Sequence, residues 1–349
     1  MLGIDPKAAR AAWTVFLFAL VIAAAYAIRE ALVVFALALF FAYMLMPLVG
    51  FVERVTPRRL SRTFALGLVY LGFVAVLVFL AITTGSRIAE EASSLAGSLP
   101  DLVKNKQWVQ TVPLPAWLEP VRSRIAGAVL REIDAGGRDI LPFMKNIGES
   151  LVSQAGYLLY VIVVPILAFF FLKDGPRLRE SVIDSFSDGG RRAMLDDILS
   201  DINRLLGQYI RAIILLAFSS FACYSVFLSA TGAPYGMLLA VFAGLLDFIP
   251  AAGPLTAGAL VLIVGGLSGY THVLAFVVFW IVFRLFQDYV LAPYLMGSGV
   301  ELDPLLVLFG VIAGERIAGV TGMFFSVPVI ATLRVVFVRL QRARRRQLP

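Results

Sequence analysis

The residue with the clearest capacity for chemistry is an acid that stands alone in an apolar region. Asp247 lies in the segment LLDFIPAAGPL, after 35 uncharged residues (Ala212 to Leu246) and before another 36 (Phe248 to Phe283). In hydrocarbon such an acid costs about 2.5–3.5 kcal/mol, so it needs a partner, a proton or an aqueous cavity. Asp247 is therefore a candidate to bind a solute, a cation or a proton. The alternative is that it only caps the helix after Pro250.

Helix-breaking residues follow this acid. Pro250, Gly253 and Pro254 interrupt the apolar stretch from Gly236 to Gly266 and leave two arms. Each arm has roughly 14 or 15 residues, about 22 Å of helix, which is short for a bilayer core of about 30 Å. We therefore predict a re-entrant hairpin here, with two full crossings as the alternative.

A second segment, Asp303 to Leu333, repeats this plan. It has a short apolar arm, a break at Gly314, Gly319 and Gly322, and a longer arm interrupted by Pro328. Broken apolar segments in paired positions are typical of secondary transporters, whose unwound backbone binds the solute or ion. Such backbone is tolerated at membrane depth only where it is buried in protein or lines a wet cavity. The two segments are therefore predicted to share one site.

The span between the two hairpins, VLAFVVFWIVFRLFQDYVLAP, carries a second acid. Arg284 and Asp288 are four residues apart, so they lie on one helix face and can pair. Two interpretations stay open: the pair only neutralises itself, or Asp288 faces the hairpins and joins Asp247 in a polar cluster.

The composition places these elements in a membrane. The chain has 349 residues, is 60% hydrophobic and 15% charged, and has a mean hydropathy of +0.89. Soluble domains are about half apolar and a quarter charged. Several uncharged windows have about the 20 residues that a membrane-crossing helix needs. They are Ala11 to Ile28, Ala31 to Val52, Thr63 to Ser86, Ser150 to Leu172, and a fifth from Ala212 to the turn TGAP. We predict an all-α, polytopic membrane protein with six to eight transmembrane helices, the two hairpins and a small helical extramembrane domain.

Together with these windows, the helical spacing of apolar residues in the rest of the chain predicts six parts. They are transmembrane helices one to three (11–86), an extracytoplasmic amphipathic helical domain (87–149), transmembrane helix four (150–172), a cytoplasmic amphipathic helix segment (173–208), a C-terminal transport region with both hairpins (209–338) and a basic cytoplasmic tail (339–349).

Charge patterning indicates orientation and excludes several functions. Arginines concentrate in the short loop ERVTPRRLSR and in the tail RLQRARRRQLP, so both are predicted to be cytoplasmic, as is the N-terminus. The net charge of +7 is not pooled on a soluble domain, so nucleic acid is not a predicted partner. One Cys and one His cannot build a metal site or a hydrolase triad, and no Gly-rich phosphate loop is present. We predict no enzyme activity, no metal and no cofactor.

Four elements, taken in order, resemble the autoinducer-2 exporter family of bacterial and archaeal permeases. FFFLKDGPRL is similar to the motif after that family's fourth span, DFIPAAGP to its I-P-x-x-G-P element, DYVLAPYLMG to its D-N-x-x-x-P-x-x-x-G element, and AGERIAGVTGMFFSVPVIATL to its closing glycine-rich stretch. The match extends over nearly the whole chain. This sequence departs from the pattern at Tyr289, where the family has Asn, and at Asp303-Pro304, where it often has His-Pro.

The resemblance implies a multi-pass permease of the bacterial inner membrane that forms a homo-oligomer, with a pentamer as one option. It also implies an elevator-like movement of the hairpin region. Members of the family are connected with export of a furanone quorum-sensing signal and with sodium or lithium/proton antiport. The partners implied are the lipid bilayer and either a small-molecule solute or a monovalent cation with a proton.

Three functional hypotheses follow. The leading one is a secondary transporter that exports a small polar organic solute, such as an autoinducer-2-like signal. The second is a monovalent cation/proton antiporter, and the third is a membrane scaffold that transports nothing. The residues predicted to bind the solute or ion, or to shape the backbone around it, are Asp247, Pro250, Gly253, Pro254, Asp288, Pro293, Asp303, Gly314, Gly319 and Gly322.

Overall fold

The computed structural model describes residues 6–55, 61–104, 155–296 and 302–346, and all regular secondary structure in these ranges is helical. The elements are α1 (Pro6–Ala27), α2 (Arg29–Val55), α3 (Arg62–Lys104), α4 (Ala155–Asp184), α5 (Gly189–Ala230), α6 (Gly236–Leu246), α7 (Ala252–Leu267), α8 (Val273–Phe286), a π-helical segment (Gln287–Leu291), α9 (Ala292–Met296) and α10 (Pro304–Arg346).

Five stretches in the described ranges are long and apolar enough to cross a membrane. They are Arg29–Val55, Arg62–Leu80, Gly189–Ala230, Val273–Met296 and Pro304–Arg342, and Ala12–Ala27, α6 and α7 are shorter apolar helices. Large apolar side chains such as Val21, Leu71 and Ile82 are mostly exposed, as expected for surfaces that face lipid. The prediction of a polytopic α-helical membrane protein is confirmed.

Helices α2, α3 and α4 pack together as one apolar group. Leu45, Leu66 and Ala168 are fully buried at its centre. The hydroxyl of Tyr70 donates to the carbonyl of Pro165 over 3.1 Å, and Arg62 donates to the carbonyl of Leu172 over 2.9 Å. These two bonds tie α3 to α4 at two depths.

Helix α5 is continuous over 42 residues, so the predicted cytoplasmic helix and the fifth span form one rod. It starts where Asp188 accepts a hydrogen bond from the amide of Gly190, and it ends at Ala230, within one residue of the TGAP turn. Near its first turns, Arg339 of α10 donates to Asp197 over 2.9 Å and to Asp201 over 2.8 Å. The polar face of α5 is therefore paired within the chain at these two acids.

The first hairpin consists of α6 and α7, which pack on each other, and α6 also packs on α5. With 11 and 16 residues, the two helices span roughly 16 and 24 Å, both less than a bilayer core of about 30 Å. Leu239 and Ala243 of α6 and Val261 of α7 are buried in the common core. The turn between the helices carries Asp247.

The C-terminal end of α3 supports the start of this hairpin. Helix α3 continues to Lys104, past the predicted boundary at residue 86, and the rest of the predicted extracytoplasmic domain, 105–149, lies outside the described residues. The carboxylate of Glu91 accepts a hydrogen bond from the amide of Leu238 over 2.9 Å. Leu238 lies in the first turn of α6, where amides lack partners within the helix and a negative charge is stabilising.

Replacing Glu91 with alanine is expected to destabilise the protein by about 1 kcal/mol, because the first turn of α6 loses its acceptor. The measurement is the thermal unfolding midpoint of the purified protein in detergent. Glu90→Ala is the matched control, since the neighbouring acid has an exposed position on α3. Equal midpoints for the two variants would contradict the role of Glu91.

The second hairpin lies within α10. The backbone leaves helical geometry at Ala318 (φ −142°, ψ 23°) and Gly319 (φ 58°, ψ −140°). On either side, Gly314 and Gly322 approach so closely that a Cβ on one would lie 2.3 or 1.9 Å from the carbonyl oxygen of the other. Small residues permit such contact between two helices. Helix α10 is therefore two arms, 304–317 and 320–346, that fold back on each other.

Candidate functional site

Asp247 is held by side chains from two other elements. Its Oδ2 accepts a hydrogen bond from Ser220 Oγ of α5 over 2.6 Å and another from Gln287 Nε2 of the π-helical segment over 2.5 Å. Helix α7 begins at Ala252, and no side chain in the described ranges caps its first turn. The capping role considered for Asp247 is therefore not what its carboxylate does here. Instead, it joins the first hairpin to α5 and to the span that follows.

Gln287 is the centre of this arrangement and is only 3% exposed. Its Nε2 also lies 3.1 Å from Ser220 Oγ and 3.5 Å from the carbonyl oxygen of Leu216, while its Oε1 accepts from Arg284 Nη1 over 3.4 Å. Because Nε2 faces three acceptors and Oε1 faces the guanidinium of Arg284, the orientation of the Gln287 amide is fixed. Gln287 therefore links the acid to the guanidinium.

Arg284 and Asp288 form an ion pair with 2.6 Å between Nη2 and Oδ1. Asp288 also lines the same cavity as Asp247. We call Ser220, Asp247, Arg284, Gln287 and Asp288 the polar network. It is a continuous chain of contacts from α5, through the first hairpin, to the π-helical segment.

The turn that presents Asp247 is strained. Ala251 has φ 62° and ψ −54°, and the amide of Ala252 donates to the carbonyl of Pro250 over 2.7 Å. This is a γ-turn with positive φ, a rare conformation for a residue with a side chain. Strain of this kind persists where the surrounding structure fixes it, and it clusters at binding sites.

Close backbone contact locks the turn. The amide of Gly253 donates to the carbonyl of Ile249 over 2.9 Å. A Cβ on Gly253 would lie 1.8 Å from the carbonyl oxygen of Leu246. The sequence I-P-A-A-G-P therefore folds α7 directly against the end of α6.

The π-helical segment brings the rest of the network to the same side. The amide of Ala292 donates to the carbonyl of Gln287, five residues earlier, just before Pro293. In an α-helix, residues four apart drift by roughly 40° per step around the axis. The wider π turn offsets that drift, so Arg284, Asp288 and Ala292 all line one cavity. Single π turns inside α-helices are frequent at functional sites.

Two cavities lie against the polar network. The larger has about 230 Å³ and is lined by Tyr209, Ile213, Leu216, Asp247, Pro250, Ala251, Pro254, Arg284, Gln287, Asp288, Ala292, Met296, Leu302, Val307 and Val327. The smaller has about 10 Å³ and is lined by Ser220, Tyr224, Ala243, Asp247, Pro254, Ala257, Trp280, Phe283, Arg284 and Gln287. Four residues are common to both linings, so Asp247, Pro254, Arg284 and Gln287 form the partition between the cavities.

The predicted site residues separate into two groups. Asp247, Pro250, Pro254 and Asp288 line the larger cavity, Gly253 lies in the turn beside it, and Pro293 follows its lining residue Ala292. Asp303, Gly314, Gly319 and Gly322 do not belong to this lining. Among the described residues, the second hairpin and the approach to it supply Leu302, Val307 and Val327, which are apolar.

Asp303 and Tyr289 show what the two departures from the family pattern do. Asp303 accepts a hydrogen bond from the amide of Leu305 over 2.8 Å and so begins α10. Tyr289 is 77% exposed and lies outside both cavity linings. Neither residue belongs to the polar network.

Sequence reasoning missed Ser220, Gln287 and Tyr209. Gln287 carried a signal, because it lies three residues after Arg284 and therefore on the same helix face. Ser220 and Tyr209 lie within α5 beside other polar residues, Ser219 and Gln208, and nothing local to them indicates that they approach Asp247 or its cavity.

Comparison with known proteins identifies the family. The model of the AI-2E family transporters matches residues 15–342. The chain belongs to this family. The resemblance inferred from the four motifs is thereby confirmed.

Relatives within the AI-2E family carry names of the same kind. The "Putative transport protein YueF" of Bacillus subtilis is 25% identical over 320 residues, which cover 89% of this chain and 86% of the relative. The "Putative permease PerM" of Escherichia coli is 26% identical over 296 residues, 79% and 78% of the two chains. The archaeal "Putative transport protein MJ1177" of Methanocaldococcus jannaschii is 21% identical over 315 residues. Membership of the AI-2E family supports a role in membrane transport.

Proposed function

We propose that this protein is a secondary transporter that exports a small polar organic solute, bound in the larger cavity against the polar network. The observation that carries the proposal is the Asp247 carboxylate, which lies at the broken turn of a short hairpin and lines a cavity of about 230 Å³. Cavities for drug-sized ligands have about 300–1,000 Å³, so this one suits a smaller molecule. Transport is driven by the gradient of the solute or of an ion.

The position of Asp247 also suggests how binding couples to movement. Its two donors, Ser220 and Gln287, belong to elements other than the hairpin that carries the acid. A shift of α6 and α7 relative to α5 breaks the Ser220 contact and changes the partition between the two cavities. In this proposal the bound solute also donates to Asp247 and so compensates for a lost donor while the hairpin moves.

Efflux from proteoliposomes tests the proposal. Vesicles are loaded with small polar solutes, among them the furanone autoinducer-2 and ethanolamine, and efflux is compared with that from protein-free vesicles. Protein-dependent efflux of at least one solute is expected. Asp247→Asn should reduce it by about tenfold or more, because a hydrogen bond to a charged group is worth about 1.5–3 kcal/mol.

Asp174→Asn is the matched control, since this acid lies on α4 and lines neither cavity. If Asp247→Asn and Asp174→Asn change the efflux rate equally, Asp247 does not belong to the site. No protein-dependent efflux of any solute from folded protein would overturn the exporter.

The smaller cavity favours a second candidate, a monovalent cation/proton antiporter. Its volume of about 10 Å³ is that of a single water or ion, and Ser220 and Asp247, whose side chains carry oxygens, are among its lining residues. In vesicles that hold a pH gradient and a pH-sensitive dye, sodium or lithium would then dissipate the gradient, and Asp247→Asn would abolish the effect. If organic solutes leave the vesicles but sodium and lithium do not dissipate the pH gradient, the exporter proposal stands and the antiporter is excluded.

We infer that the protein is a multi-pass protein of the bacterial inner membrane with both termini in the cytoplasm. The arginines around residues 54–62 and 339–346 support this orientation. We also infer a homo-oligomer, because the resemblance implies one. Protease accessibility of tags at each terminus in inverted membrane vesicles tests the first inference, and the mass of the detergent-solubilised protein tests the second.

A further inference from the structure

The larger cavity has an excess of negative charge on one side. Among its lining residues, Asp247 and Asp288 carry carboxylates and Arg284 carries the balancing guanidinium. Asp288 is paired with Arg284 at 2.6 Å. The two donors on Asp247 are a hydroxyl and an amide, which stabilise a carboxylate without neutralising it. One negative charge therefore remains without a counter-ion in the lining.

The unbalanced acid keeps an acceptor for a ligand. Both hydrogen bonds to Asp247 end on Oδ2. Within the described ranges no donor is hydrogen-bonded to its other oxygen, Oδ1. A carboxylate has about four lone-pair positions, so Oδ1 can accept from a further donor.

A second polar group in the lining has no hydrogen-bond partner among the described residues. The hydroxyl of Tyr209 is buried, and no described residue is hydrogen-bonded to it. Tyr209 itself is 3% exposed and lines the larger cavity. A buried hydroxyl without a partner costs about 1–3 kcal/mol, so its presence calls for an explanation. A ligand that hydrogen-bonds to it is one.

The remainder of the cavity is apolar. Its side chains come from α5, α9, the second hairpin and the residue before it, and they are Ile213, Leu216, Met296, Leu302, Val307 and Val327. A surface of this kind favours hydrocarbon over water. It does not replace the hydration shell of a metal ion, which requires several oxygens.

We propose that the transported solute is a small organic cation, a protonated amine with a short hydrocarbon body. Its N–H groups donate to Asp247 Oδ1 and to the Tyr209 hydroxyl, and its hydrocarbon part packs against the apolar side. The charge excess rejects anions of the same size. This inference rests on the proposed transport function and names the chemical class of its solute.

Calorimetric titration of the purified protein in detergent tests the inference with three probes of matched size. These are n-butylammonium, n-butanol and butyrate, which differ in charge. We expect n-butylammonium to bind at least tenfold more tightly than the other two. Asp247→Asn should reduce its affinity by about tenfold or more, and Asp174→Asn should leave it unchanged.

Tyr209→Phe provides a readout that a purely structural role would not give. Because the variant removes an unpartnered buried hydroxyl, the thermal unfolding midpoint of the unliganded protein should rise. The affinity for n-butylammonium should fall severalfold at the same time. A lower midpoint with unchanged affinity would show that the hydroxyl serves the fold, and would remove it from the site.

Binding of butyrate or n-butanol as tight as that of n-butylammonium would overturn the cation class. So would an affinity for n-butylammonium that Asp247→Asn does not change. Either result leaves the transporter proposal intact if vesicles release another solute. Conversely, charge-selective binding without any efflux would retain the cation site and overturn transport.

Discussion

Gly253→Ala is expected to prevent most of the protein from reaching its folded state. The new Cβ would lie 1.8 Å from the carbonyl oxygen and 2.6 Å from the carbonyl carbon of Leu246, the last residue of α6. The obstacle is backbone, so no side chain can rotate away. The amide of Gly253 is also bonded to Ile249, which limits movement on the other side. We expect a loss of at least about 3 kcal/mol, the upper part of the range for overpacked positions.

The measurement is the yield of monodisperse protein by size-exclusion chromatography in detergent, together with the unfolding midpoint. Gly72→Ala is the control, because a Cβ at this position in α3 meets no described atom within 4 Å apart from the backbone of its own helix. Alanine there should be neutral or stabilise the helix by up to about 1 kcal/mol. If Gly253→Ala gave the same yield of monodisperse protein as Gly72→Ala, the close contact between α6 and α7 would be disproved.

Gln287→Leu is expected to abolish transport and to destabilise the protein by about 3 kcal/mol. The amide gives Asp247 one of its two donors and gives Arg284 an acceptor. Leucine has a similar volume, so the variant removes the hydrogen bonds without opening a large void. The half-buried acid then keeps Ser220 as its only side-chain donor among the described residues. Removing one partner of a charged group costs more than replacing both partners by apolar groups.

Efflux from proteoliposomes and the unfolding midpoint are both measured for Gln287→Leu. Gln208→Leu is the matched control, since this glutamine of α5 is outside both cavity linings. If the Gln287→Leu variant transports at the normal rate, the polar network has no role in transport. A large loss of stability with normal transport would assign Gln287 to the fold alone.

The sequence predicts the architecture well because a helix that crosses a membrane needs a long stretch of apolar residues, which is visible in the composition. Uncharged windows of about 20 residues identify most spans, and Pro250, Gly253 and Gly319 identify the places where helices break. These signals are local, since a proline or glycine acts on its own stretch of backbone. The four motifs added the family, which the comparison confirmed.

The site was harder to predict because its contacts join distant parts of the chain. Asp247 and Asp288 stood out as acids in apolar surroundings. Ser220, in contrast, is 27 residues before the acid it contacts, and Gln287 is 40 residues after it. No period or spacing encodes such a pairing. The glycines of the second hairpin were expected to shape the site, but Gly314 and Gly322 instead let two helix arms touch.

The π-helical segment before Pro293 bears on how relatives of this protein should be aligned. A π turn holds one residue more than the α-helical turn that it replaces, so it is equivalent to a single-residue insertion. Deleting one residue between Gln287 and Leu291 would rotate all that follows by roughly 100°. Ala292 and Met296 would then leave the cavity, and other side chains would take their places. A one-residue gap at this point in an alignment would therefore mark a change in the side chains that line the cavity, even between chains whose flanking sequences are identical.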